Sequence, residues 1–295
     1  MKHYLGIDGG GTKTTAAVAD ENGAVLYKAE GKSINFYAIG MEKSRENLKN
    51  LIEEIGNKTN IYCYTSAFIG CSALDGKADE KTTKALCDGI IDADKIGMDS
   101  DIFVALKAST GNCVAICGTG SMVIGEKSDG TIIIKGGWGH ILGDEGSAYA
   151  IALCALKKCC LLDDKNTSSP ILEEAKKYFK VDNLREIIDI IYSDNTKKDY
   201  IAGFASYVGA LAEGGDFSAS AIIKNEAISF AETVKTLLQE LDASPHLSLY
   251  GGVFRNNSLF KECFCNELNK TINNITIDLL TTPAEEGALK VAMEL

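Results

Sequence analysis

Residues 4–27 restrict the fold of this chain more than any other stretch. Three short apolar runs are separated only by Asp8-Gly9-Gly10-Gly11-Thr12-Lys13 and by Asp20-Glu21-Asn22-Gly23. Neither interval has room for a helix. Successive runs therefore turn back on one another as strands, and Asn-Gly suits a tight hairpin turn. The pattern returns later in the chain. Residues 112–117 read as a strand and Gly118-Thr119-Gly120-Ser121 as a second glycine turn. Residues 122–125 read as a strand, Ser128-Asp129-Gly130 as a turn and 131–134 as a third strand. A repeated arrangement is more informative than either turn alone. It predicts two related α/β halves, each offering a glycine hairpin to one ligand between them.

A turn without side chains lets backbone N–H groups touch an anion. Thr12 adds a hydroxyl, and Asp8 puts a carboxylate at the mouth, where it can hold Mg²⁺ through water. No helix follows the first turn, so neither the dinucleotide fingerprint nor the GxxxxGK[ST] phosphate loop fits. An ordinary glycine-rich hairpin is the plain alternative for either turn taken singly.

The remaining chain alternates strand and helix signals. Residues 41–55 carry Leu48, Leu51, Ile52 and Ile55 at helical spacing. Residues 61–69 read as a buried strand ending in the loop Gly70-Cys71-Ser72-Ala73. Then come a helix over 78–91, a strand near 95–98 and a helix over about 101–109. A long helix is expected to start near Asp144. Residues 161–241 read as mostly helical, broken around 166–170, 181–183 and Gly214-Gly215. A strand over 247–250 ends at Gly251-Gly252-Val253. A helix over 256–269, a strand over 275–279 and a last helix with Pro283 at its first position complete the chain. With three prolines and no low-complexity linker, the boundary is placed near residue 110, giving halves of 1–110 and 111–295.

The net charge of −11 disfavours nucleic acid or an anionic membrane as partner, although glycine turns and helix N-termini still bind single anions. The ten cysteines sit mostly in apolar runs and lack paired CxxC halves. They read as buried, reduced thiols, as in a cytosol. There is no signal-peptide pattern, and no apolar run reaches the ~18 residues of a membrane span. A cytoplasmic protein is expected.

Six stretches occur in an order and spacing that resemble the N-acetylglucosamine kinases: Asp8-Gly9-Gly10-Gly11-Thr12, Ser33-Ile34-Asn35, Gly118-Thr119-Gly120-Ser121, Gly137-Trp138-Gly139-His140, Gly143-Asp144-Glu145-Gly146-Ser147-Ala148 and Gly251-Gly252-Val253. Those kinases belong to the BadF/BadG/BcrA/BcrD ATPase family, within the sugar kinase, actin and heat-shock ATPase superfamily. The likeness runs from residue 4 to about 290 and is most specific over 136–148. It implies an α/β fold of two related ribonuclease H-like (actin-like ATPase) domains with a cleft between them. It further implies an ATP- and Mg²⁺-dependent kinase acting on the 6-hydroxyl of an N-acetylated amino sugar, N-acetylglucosamine or N-acetylmuramic acid. A homodimer is the expected assembly.

Phosphoryl transfer needs positioning, charge neutralisation and a base for the attacking hydroxyl. From chemistry alone Asp99 and Asp101 are equal candidates for that base, and either also fits a helix N-cap. The resemblance selects Asp101. Gly10, Gly11, Thr12 and Lys13 are expected at the phosphates, faced by Gly118 and Thr119. Lys13 equally fits a solvated strand lysine. Glu213, Gly214, Gly251 and Gly252 are expected to flank the adenosine, and Asp8 to hold the metal. Ser33, Asn35, Thr119, Gly137, Trp138 and Asp144 are expected at the sugar, with Trp138, on its glycine-rich loop, packing against a sugar face or an acetamido methyl. Ser33 also fits a plain strand end, and His140 reads as a structural hydrogen-bonder. Three other functions compete: a glucosamine kinase; an ATPase activator of a 2-hydroxyacyl-CoA dehydratase, which needs a cysteine from each of two loops at a dimer axis for an iron–sulfur cluster; and a non-catalytic sugar sensor.

Overall fold

A computed structural model describes residues 2–193 and 196–295, which form two compact units, residues 1–111 with 280–295 and residues 112–279. In the first unit β1 (His3–Gly9), β2 (Lys13–Asp20) and β3 (Val25–Lys32) make an antiparallel meander. Two helices follow, α1 (Phe36–Ile39) and α2 (Met41–Thr59). Then come β4 (Cys63–Cys71), α3 (Glu80–Cys87), β5 (Asp92–Asp99) and α4 (Asp101–Ala108). The sheet order is β3-β2-β1-β4-β5, with β4 parallel to both β1 and β5.

Both faces of this sheet are covered. Leu5, Ile7, Ala16 and Val18 point to one face, where they bury against Leu48, Leu51, Ile52 and Ile55 of α2. That amphipathic stripe is the one read from the sequence, and it continues to Thr59 before Asn60 ends the helix in a left-handed conformation. Ala17 and Ala19 point to the other face and pack with Leu289 of the last helix, α12 (Ala284–Glu294). Burial on both faces is why β2 reads as a nearly continuous apolar run. α12 therefore belongs to the first unit, whereas the sequence reading left residues 280–295 in the second half. The approach depends on glycine. A Cβ on Gly6 would lie 2.4 Å from the Glu285 carbonyl oxygen, and one on Gly287 would lie 2.0 Å from the carbonyl of Val104 in α4. Nothing in the local pattern of 280–295 states which sheet the helix will cover.

The second unit repeats the first. Strands β6 (Cys113–Cys117), β7 (Ser121–Glu126) and β8 (Ile132–Gly136) form the meander, followed by five helices: α5 (Ala148–Asp164), α6 (Pro170–Phe179), α7 (Ile187–Ile191), α8 (Lys198–Glu213) and α9 (Phe217–Leu238). β9 (His246–Tyr250), α10 (Gly252–Asn256), α11 (Ser258–Asn269) and β10 (Thr276–Leu279) finish the unit. Its sheet order, β8-β7-β6-β9-β10, matches that of the first unit strand for strand. The meander is antiparallel and the β6–β9 and β9–β10 pairs are parallel. The units differ in what joins the third and fourth strands. The five helices inserted here bury a core that includes Phe204, Phe230, Phe254, Phe260 and Phe264.

Several boundaries differ from the sequence reading. α5 starts at Ala148, not near Asp144, because Asp144 and Gly146 hold φ of +63° and +78°, which no helix accepts. Ser147 caps α5 by accepting from the Ala150 N–H at 3.1 Å. Pro283 is the N-cap of α12, with ψ of 145°, one residue before the helix begins. The helical run expected over 161–241 has a further break between α7 and α8, where residues 194 and 195 lie outside the described residues. All ten cysteines are free thiols. Five are buried, whereas Cys63 and Cys160 are exposed. Among the described residues no helix is long and apolar enough to cross a membrane.

Candidate active site

In the first unit the chemistry gathers where β1, β4 and β5 end. Asp8 pairs in register with Gly70, and Gly70 with Asp99. A Cβ on Gly70 would lie 2.4 Å from a Val104 methyl and 3.2 Å from the Asp101 Cα. The bare glycine thus lets α4 lie down on β4, with Asp101 in its first turn above the strand next to Asp8. Asp99 and Asp101 now have distinct tasks. Asp99 Oδ1 accepts from the Ser100 N–H at 2.6 Å and from its hydroxyl at 3.2 Å. Ser100, not either aspartate, is the N-cap of α4.

Burial sets the protonation of the two remaining carboxyls. It pushes Asp101 up to about 6, against the nearby Ile102 N–H, which holds it down. It pushes Asp8 up to about 7, with help from the negative charges of Asp101 and Glu285 and opposition from Lys13. Glu285 comes from α12. It accepts from the Thr15 hydroxyl at 3.0 Å and pairs with Lys28 at 3.3 Å. The sequence reading missed Glu285, because no pattern ties a residue at the far end of the chain to β1.

The first glycine turn is braced from outside. The Ser33 hydroxyl donates to the Gly10 carbonyl at 2.9 Å, and Asn47 Nδ2 donates to the Ser33 carbonyl at 2.7 Å. Ser33 is buried, with its hydroxyl committed to the turn. Gly11, Thr12 and Lys13 are exposed, and Lys13 pairs with Glu30 at 2.5 Å on the surface. Asn35 caps α1 through its Oδ1 and donates to the Ser72 hydroxyl at 3.0 Å. The unit therefore brings the first turn, Asp8, Asp101 and Asn35 to the same end of its sheet.

In the second unit the Gly118–Gly120 turn lies against the start of α5, whose Ala148 N–H donates to the Gly118 carbonyl at 2.9 Å. The Thr119 hydroxyl donates to Asp199 Oδ1 at 3.0 Å. Beside this turn is a cavity of about 460 Å³, lined by Gly118, Thr119, one face of α8 and the α10 residues Gly252, Val253 and Asn256, among others. The α8 face carries Ala202, Gly203, Ser206 and Gly209, small side chains at helical spacing that leave the space open. Gly251 is not in this lining but is pressed against the end of β6: its φ is +111°, and a Cβ there would lie 2.2 Å from the Cys117 carbonyl oxygen. Of the residues expected at adenosine, Gly252 lines this cavity. Gly214 instead lines a separate depression with Tyr207, Asp216 and Phe217, and Glu213 is exposed at the end of α8. Asn256 went unread, although its position one turn after Gly252 was a usable signal.

The loop from Gly136 to Ser147 carries the other expected sugar residues. Gly136, Gly137, Gly139 and Gly146 all hold positive φ. Trp138 is 74 % exposed, so it is not a core side chain. His140 meets Tyr149 edge-on at 4.8 Å between ring centroids. Asp144 is 4 % exposed, and its Oδ2 accepts from Lys198 Nζ at 2.7 Å.

Comparison with known proteins finds relatives that match nearly the full chain. An N-acetylmuramic acid/N-acetylglucosamine kinase of Clostridium acetobutylicum is 28% identical, over 99% of this chain and 98% of its own length. An N-acetyl-D-glucosamine kinase of Dictyostelium discoideum is 24% identical, over 98% of this chain and 97% of its own. A crystal structure from Chromobacterium violaceum, described as a candidate N-acetylglucosamine kinase, superposes with a TM-score of 0.79 at 17% identity, covering 99% of both chains. The duplicated sheet order and this superposition identify the fold as the actin-like ATPase fold of two ribonuclease H-like domains. The family model for these ATPases matches residues 5–292, and the chain belongs to the BadF/BadG/BcrA/BcrD ATPase family.

Proposed function

We propose that this protein is an ATP-dependent sugar kinase that phosphorylates the 6-hydroxyl of an N-acetylated amino sugar, N-acetylglucosamine or N-acetylmuramic acid. The observation that carries the reading is the Asp101 carboxyl, which is largely buried at the start of α4 and raised to about 6. A base with that value is ionised at neutral pH and still basic enough to take a hydroxyl proton. Two relatives matched over nearly their whole length, both kinases of such sugars, support the substrate class.

In this reading the sugar O6 attacks the γ-phosphorus, the bond from that phosphorus to the bridging oxygen breaks, ADP leaves, and the O6 proton passes to Asp101. The backbone N–H groups of Gly10 and Gly11 and the side chains of Thr12 and Lys13 take phosphate oxygens in the first unit. Gly118 and Thr119 do so in the second, where the adenosine occupies the cavity between α8 and α10. Glu213 and Gly214 are outside that cavity and take no part. Asn35 and Asp144 meet sugar hydroxyls, Trp138 and Gly137 meet the acetamido group, and Ser33 acts through the turn that it braces.

The donor set suits a hydrated Mg²⁺. Asp8 is an oxygen donor at the mouth of the phosphate turn; burial, with the charges of Asp101 and Glu285 adding to it, raises it to about 7, and a cation would offset the acidic part of that crowding. Bound there through water, Mg²⁺ would neutralise phosphate charge. The test is a coupled ADP-release assay over N-acetylglucosamine, N-acetylmuramic acid, glucosamine and glucose. Sugar-dependent ADP release with an acetylated sugar supports the reading. ADP release that no sugar stimulates overturns it.

A further inference from the structure

We propose that Lys198 is a positioning residue for the sugar: its ammonium locks the Asp144 carboxylate in the orientation that accepts a sugar hydroxyl. The inference rests on the kinase reading above and adds to it a residue from the helical insertion.

Four observations lead to Lys198. First, Asp144 is 4 % exposed and holds a left-handed φ of +63°, so its carboxylate has neither solvent nor a relaxed backbone to orient it. Second, the group that meets it is Lys198 Nζ, at 2.7 Å on Oδ2. Third, the same carboxylate lies against the second glycine turn. A Cβ on Gly120 would come 2.9 Å from Asp144 Oδ2 and 3.4 Å from Lys198 Nζ, so the pair sits beside the phosphate hairpin and not on a remote surface. Fourth, Lys198 is the first residue of α8, the helix end whose dipole disfavours a cation. A lysine there is explained by its partner in the 136–147 loop and not by the helix.

The ammonium has three donors, and the Lys198 side chain is 31% exposed. It also lies 5.7 Å from the centre of the Tyr149 ring, the ring that holds His140 of the sugar loop. The loop itself is pinned separately: Glu226 accepts from the Gly146 N–H at 2.8 Å, and Ser121 donates to the Glu145 carbonyl at 2.6 Å. Lys198 therefore sets the direction of one side chain, while other residues hold the loop backbone. The neighbouring Asp199 accepts from Thr119. The first turn of α8 thus touches both the sugar loop and the second phosphate turn through adjacent residues.

Trp138, the single tryptophan, is on the same loop and gives a fluorescence signal for sugar binding that needs no turnover. N-acetylglucosamine is titrated into the full-length protein, K198M and K198R, and ATP affinity is measured by calorimetry on the same samples. K198M is expected to weaken the sugar at least tenfold (~1.4 kcal/mol), to leave the ATP Kd within threefold, and to be largely rescued in K198R. A purely structural lysine would move both ligands. A sugar Kd within twofold of the parent, equal loss of sugar and ATP, or K198R as impaired as K198M would overturn the proposal. If K198M does not fold, D144N/K198M, which buries no unpaired charge, is compared with D144N. The proposal requires equal sugar Kd values, and a difference above threefold refutes it. In each failing case the parent would still phosphorylate the sugar, whereas failure of the kinase reading itself would show as no sugar-dependent turnover in the parent.

Discussion

Replacing Asp101 by Asn separates what this carboxyl does in chemistry from what it does to stability. Its value of about 6 in the folded protein, against 3.8 for a free side chain, means that the fold binds this proton more tightly than the unfolded chain does. Stability therefore falls as pH rises through about 4 to 6, and the loss is complete above the folded value. Two pKa units correspond to a ceiling of about 3 kcal/mol. Asn has no charge to bury and also removes the repulsion that raises Asp8. Asp101→Asn should accordingly match the parent below about pH 4 and exceed it by about 1–3 kcal/mol above pH 7. That is a rise of several degrees in Tm. The same variant should lose roughly 10²–10⁴ of kcat, the usual contribution of a positioned base, while parental kcat falls as the pH drops below about 6. Thermal melts between pH 4 and 8.5 and the coupled assay read both effects. A stability difference that does not change with pH, or Asp99→Asn losing turnover while Asp101→Asn keeps it, would refute the reasoning.

Gly251→Ala places a Cβ 2.2 Å from the Cys117 carbonyl at a φ of +111°; it should destabilise by more than about 2 kcal/mol, and an unchanged Tm would show that the backbone between β9 and α10 can yield. Trp138→Ala, at a 74 % exposed position, should leave Tm within a degree or two. It should still narrow the preference for N-acetylglucosamine over glucosamine, which a buried methyl (~0.8 kcal/mol) and paired amide (about 1–2 kcal/mol) set at roughly 10- to 100-fold. Steady-state kinetics on both sugars check it, and equal specificity constants in the parent would remove the acetamido reading.

The duplicated fold was legible because its signal is local: two glycine turns too short for helices force two meanders, and the apolar stripe over 41–55 marks a helix with one face to bury, which the structure packs on the first sheet. Residue type and turn coincide at Asp8, Gly118 and Asp101, which is why the sequence singles them out, and the structure places Asp8 and Asp101 at the same end of the first sheet. Local pattern could not separate Asp99 from Asp101, two carboxylates two residues apart at the start of one helix. In the structure Asp99 Oδ1 is engaged by Ser100 while Asp101 is the first residue of α4, and the paired Asn variants above test which is the base. What the sequence hid depends on long-range packing. Glu285 reaches the first unit's site through α12, and Lys198 reaches Asp144 from an insertion helix 54 residues away. Gly214 looked like an adenosine residue because it follows a helix, but the cavity is formed one face away on α8, by Ala202, Gly203, Ser206 and Gly209.

The central claim is transfer of phosphorus to one particular oxygen, and the product itself tests it. The protein is incubated with ATP, Mg²⁺ and N-acetylglucosamine, and the mixture is examined by proton–phosphorus correlation NMR. The account predicts one new phosphomonoester whose phosphorus correlates with the two C6 protons, formed in step with ADP and roughly 10²–10⁴ more slowly with Asp101→Asn. A phosphorus correlated with the anomeric proton, or ADP accompanied only by inorganic phosphate, would contradict it.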